Sequence, residues 1–152
     1  MKSLAQPEAR AEIIARVQNV RPETKGNFGV LSAPEMIVHC TIAMEAALGL
    51  CQVSSAETFL MRHVVKYIAL YSPGPWPPGF KTRPEMDMQR NGTRPGEFVS
   101  DVAKFVQRVE EFGTRSATMP WARHPMFGAM SEAEWKCWAY RHNDHHLKQF
   151  GA

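Results

Sequence analysis

Three of the six histidines in this chain fall within five positions near its end, in Arg141-His142-Asn143-Asp144-His145-His146-Leu147-Lys148-Gln149. His142 and His146 are four residues apart, so on a helix they share one face, about 6 Å apart along the axis. Two imidazoles at that separation can bind one metal ion. His39 lies far upstream, on another predicted helix. A close pair plus one remote histidine describes a three-histidine metal site inside a helical bundle. Such a ligand set adds no negative charge and leaves a position for water or substrate, so a bound ion keeps its Lewis acidity. The same spacing also suits core or surface histidines bonded to backbone or water, because HxxxH on a helix recurs by chance. Asn143 stands where the zinc-protease helix motif requires Glu, which disfavours that class.

The remaining candidates are weaker. His145 is turned by about 60° from His142 on a helical wheel and reads as a flanking group. His146 is preferred as the ligand because the i, i+4 spacing keeps both rings more nearly parallel. Gln149 continues the same stripe. His124 precedes Pro125, so its backbone is extended. It reads as a loop packing residue that could reach a site mouth. His63, beside Arg62, reads as exposed. Cys40 adjoins His39 but points about 100° away from it on a helix. Cys51 and Cys137 have no histidine near them in sequence, none of the three opens a helix, and all read as core thiols. No glycine-rich phosphate loop is present.

Helices must position these residues, since strand signals are scarce. Glu8 to Val20 places Ile13, Ile14, Val17 and Val20 three or four apart, an amphipathic helix. Ser32-Ala33-Pro34-Glu35 is a capping box that opens a helix over Met36 to Ala47, ending near Gly49. Ser54-Ser55-Ala56-Glu57 is a second such box, ahead of a helix carrying Phe59, Leu60, Val64, Tyr67, Ile68 and Tyr71. Glu97 to Phe112 is a fourth helix, with Gly113 as its C-cap. Ser131-Glu132-Ala133-Glu134 opens the last one, whose stripe is Trp135, Trp138, Ala139, His142, His146 and Gln149. Residues 72–96 hold six of the eleven prolines, a density that forbids helix or central strand. Trp76 and Phe80 within them favour a packed lid over a floppy linker.

At 152 residues the chain is most simply one domain, residues 1–152, large enough to bury a core without disulfides. Hydrophobic residues at 44% and charged residues at 22% are ordinary for a soluble protein. The net charge of +3 comes without a basic run, so nothing argues for nucleic acid. No stretch reaches membrane-spanning length, and the first residues carry no secretory pattern. Three widely spaced cysteines suit thiols in a reducing cytoplasm.

Taken together, Met36-Ile37-Val38-His39-Cys40, Tyr71-Ser72-Pro73-Gly74-Pro75-Trp76-Pro77, His124-Pro125-Met126-Phe127-Gly128, Glu134-Trp135 and the block from His142 to Gly151 resemble an uncharacterised branch of the DinB-like (YfiT-like) superfamily of metal-dependent enzymes. The likeness spans about residues 26–151. It implies an all-α four-helix bundle of up-down-down-up type with a long proline-rich connection. It also implies a divalent metal (Zn, Ni, Fe or Mn) on His39, His142 and His146, with His145, Gln149, Trp135, Trp76 and His124 around the site. The activity implied is that of a hydrolase or of an S-transferase using a low-molecular-weight thiol, in a homodimer. Lys81, Arg83 and Arg123 are candidates to bind an anionic substrate. The rival expectation is a non-catalytic, stress-associated binding module whose metal site is structural or vestigial.

Overall fold

A computed structural model describes residues 1–77, 83–87, 92–116 and 118–152. Among the described residues there are five α-helices and no strand. They are α1 (Pro7–Gln18), α2 (Ala33–Leu48), α3 (Lys66–Tyr71), α4 (Phe98–Thr114) and α5 (Glu132–Gln149). A π-helical turn, Met61–Val65, leads into α3, and a 3-10 turn, Pro84–Met86, lies within the proline-rich connection.

Local chemistry sets the ends of the two helices that carry histidines. The Ser32 hydroxyl accepts from the Glu35 N–H while the Glu35 carboxylate accepts from the Ser32 N–H, closing the expected capping box. Ser131 and Glu134 do the same for α5. Gly49, in the left-handed region at φ 79°, ends α2.

The box expected at Ser54 and Glu57 does not form. The Glu57 carboxylate instead takes the Arg123 guanidinium in two bonds of 3.1 and 2.8 Å. The Ser54 hydroxyl accepts from Arg83 at 2.7 Å. Helical structure therefore begins later, at residue 59, with the Thr58 hydroxyl accepting from the Met61 N–H. Long-range ion pairing outcompetes a local cap here. Gly113 likewise is not a C-cap. It lies inside α4 and is buried, and a Cβ there would stand 2.5 Å from the Leu4 carbonyl and collide with Arg10. Its missing side chain lets the segment before α1 approach α4 closely.

Four helices close a ring: α2 packs on α4, α4 on α1, α1 on α5, and α5 on α2. Ile13 and Val17 of α1, Met36, Ile37 and Met44 of α2, Phe105, Val109 and Phe112 of α4, and Trp135 and Leu147 of α5 meet inside it, each with essentially no exposed surface. Arg16 ties α1 to α5 through Asp144 at 2.8 Å, and Arg108 ties α4 to α2 through Glu45 at 3.0 Å. α3 packs against α5 at the side of this ring. No described helix is long and apolar enough to cross a membrane.

Candidate metal centre

α2 and α5 are neighbours in the ring, and their contact brings His39 to His142 and His146. One nitrogen from each of the three rings lies within 4.8 Å of the other two. The ring centroids are 5.2 Å (His39–His142), 4.8 Å (His39–His146) and 4.7 Å (His142–His146) apart. An ion held ~2.1 Å from each nitrogen allows at most about 4.2 Å between any two of them, so the 4.8 Å spread is slightly wider than that of a ligated set.

Burial sets the protonation of these rings. Desolvation pushes His39 down to about 4 and His146 to about 3, and holds His142 well below its ordinary value. All three are therefore neutral at pH 7, with lone pairs free to coordinate.

Two of the rings are also oriented from behind. His39 hydrogen-bonds the backbone carbonyl of Met86, in the 3-10 turn, and His146 Nδ1 meets Gln149 Oε1 at 3.0 Å. Ligating histidines commonly donate their second N–H to such acceptors, which fixes tautomer and ring angle. His142 is held differently, stacked on Trp138 at 4.7 Å and 18°. Its Nδ1 is buried with no hydrogen-bond partner among the described residues. A buried imidazole nitrogen without a partner is costly unless something completes its coordination. The donor set thus fits a divalent cation.

Gln149 has a second task. Its amide nitrogen donates to the Phe28 carbonyl, and its backbone carbonyl accepts from the Asn27 N–H at 2.7 Å. Gly29, at φ 78°, passes directly against the Gln149 side chain, where a Cβ would collide. The loop 21–31 is thereby held beside the centre, and Phe28 sits 5.5 Å from the half-buried His145. Trp76 covers the other side, 6.1 Å from His142 and 6.0 Å from His145. Its indole N–H donates to the Ala69 carbonyl at 2.8 Å. Arg141 pins the same strap through the Ser72 and Gly74 carbonyls, at 2.6 and 2.9 Å. The packed-lid expectation holds at Trp76, while Phe80 and Lys81 lie outside the described residues.

Other expectations are redistributed. Trp135 belongs to an aromatic layer with Trp121, His124 and Trp138 rather than to the wall of the centre. His124 does not reach the centre. It stands behind Trp138 at 5.1 Å, with Nδ1 accepting from the Met126 and Phe127 N–H groups, and burial holds it at about 3. Arg83 and Arg123 are engaged by Ser54 and Glu57. The three cysteines are free thiols raised by burial, so none is poised as a nucleophile. Sequence reasoning missed Phe28, the Met86 carbonyl and the stacking role of Trp138. Trp138 stood on the right stripe. Phe28 in a glycine-flanked loop and a backbone carbonyl carry no periodic signal.

A family model described as "Protein of unknown function (DUF1569)" matches residues 5–152. No curated protein and no solved structure matches the chain.

Proposed function

The chain belongs to this DUF1569 family, and we propose that it is a metal-dependent enzyme whose His39, His142 and His146 hold one divalent cation. The observation that carries this reading is the convergence of three neutral imidazoles within 4.8 Å, two of them braced by Met86 and Gln149. When bound, the ion would serve as a Lewis acid that lowers the pKa of a coordinated water or thiol. The rest is the work of the chain. Gln149 and the Met86 carbonyl aim two rings, Trp138 aims the third, and Trp76 with Phe28 limits water around the open side. His145 stands between Phe28 and Trp76, 5.5 and 6.0 Å from their rings, as a half-buried polar group beside the centre. The substrate class we assign is a small hydrolysable molecule or, for S-transfer, a low-molecular-weight thiol.

The wider DinB-like relation is part of the same proposal. It is supported by a ring of four helices, with one ligand on the second helix and two on the last. Free thiols suit the proposed cytoplasmic location. Elemental mass spectrometry on tag-free protein tests the reading. Near-stoichiometric metal in the wild type and at least ~10-fold less in His142→Ala is expected. Equal metal in both would overturn it. Metal that chelation removes with loss of fold but no exchangeable ligand would instead identify a non-catalytic module with a structural ion.

A further inference from the structure

The segment 59–71 is inside-out for a helix on the side of a monomer. An outer helix normally turns charge to water and apolar groups to the core. Here Lys66 is turned inward, 8% exposed, with its ammonium 2.9 Å from Glu134. The same Glu134 carboxylate caps α5, so this ion pair locks which face of the segment looks in. Met61, Val65, Ala69 and Leu70 complete the inner face. Phe59, Leu60, Val64, Tyr67, Ile68 and Tyr71 are left on the outside, with exposures from 44% at Val64 to 78% at Phe59.

The outer face has an order that suits one occupant. Phe59, His63, Tyr67 and Tyr71 form an aromatic ridge at four-residue spacing, with Phe59–His63 at 4.6 Å and Tyr67–Tyr71 stacked at 6.1 Å. Leu60, Val64 and Ile68 form an aliphatic ridge beside it. A twofold axis near Val64 would lay each aromatic ridge on the aliphatic ridge of a second copy, the 4-4 packing of helices. Of the two cations on this segment, Lys66 is withdrawn to Glu134, and Arg62 stays exposed 3.9 Å from the Glu57 carboxylate. With ~200 Å² on each fully exposed aromatic side chain, the six residues offer on the order of 600 Å² per copy. That approaches the ~800 Å² per partner of a stable interface, and a lone monomer rarely leaves so much contiguous apolar surface in water.

We infer that the outer face of residues 59–71 is an isologous interface with a second copy of this chain. The inference is independent of metal binding, and its readout is mass. Light scattering after size exclusion is expected to give twice the 17.2 kDa of one chain. Ile68→Glu, which sets like charges against an apolar ridge, is expected to raise the dissociation constant at least ~10-fold with the helical circular dichroism retained. Val99→Glu, an exposed apolar site on α4, should leave the dimer intact. Val64→Cys, next to the axis, should cross-link on mild oxidation far faster than Val99→Cys. That variant decides the matter if Ile68→Glu does not fold. A monomeric wild type at all concentrations, a folded Ile68→Glu that stays dimeric, or equal cross-linking at 64 and 99 would each overturn the inference.

Discussion

The centre between α2 and α5 and the outer face of residues 59–71 break the same rule in opposite directions. One gathers three polar rings, two buried and one half-buried, and the other exposes six large apolar side chains. Buried polar groups and exposed apolar patches are the informative departures from hydrophobic sorting, since each costs free energy unless something absent from the isolated chain offsets it. They differ in how the cost is met. The inner site is braced by Gln149, Met86, Trp138 and the Trp76 strap. The outer face is held only from behind, by Lys66 on Glu134. Rigid bracing around a polar cluster is what a small ligand needs, whereas a broad bare ridge is what a macromolecular surface needs.

That contrast can be broken most forcefully by acid. Burial holds His39 at about 4 and His146 and His124 at about 3, so the folded chain keeps them neutral while the unfolded chain protonates them below about 6.5. Their contribution is complete above pH 6.5 and is lost as pH falls toward 4 and 3, at about 1.4 kcal/mol per pH unit for each ring. Urea titrations from pH 7 to pH 5 on metal-free protein should show this steep loss. A flat profile would mean the rings are already solvated.

Trp138→Ala comes next. It removes a buried ring that touches His124, Trp135 and His142, and should cost about 3–5 kcal/mol in equilibrium unfolding. Chelation follows. If free metal stands at a hundred times its dissociation constant, removing it costs about 2.7 kcal/mol, a fall in Tm of roughly 5–11 °C for a chain of this size. His142→Ala should show no such fall. Gln149→Ala leaves the three ligands in place but frees His146, and should weaken metal binding ~10–100-fold by competition with a chromogenic chelator. The smallest effect belongs to the outer face. Phe59→Ala should change the stability of the dilute monomer by no more than about 0.5 kcal/mol. A loss above 1 kcal/mol would mean that face is already packed within one chain.

Much of the inner site was legible in the residue order. The capping boxes at Ser32 and Ser131 depend on neighbours three positions apart, and both form. The His142/His146 pair depends on the helical period alone. Gln149 lies on the same stripe, so its contact with His146 follows from the helix as well. Reading failed where distant residues intervene. Arg123 draws Glu57 out of its cap, Arg10 and Leu4 turn Gly113 from a terminator into a packing site, and Trp121 draws Trp135 into another layer.

By itself, then, the sequence determined that the chain is helical, where α2 and α5 begin, and which faces carry the histidines, because those features rest on contacts within one or two turns. Only the tertiary structure decided that His39 meets the C-terminal pair, that Phe28 and Trp76 flank it, and that Lys66 turns inward while Phe59 and Tyr67 turn out. Those outcomes are set by which helices pack together and which ion pairs win, and both bring together residues far apart in the chain.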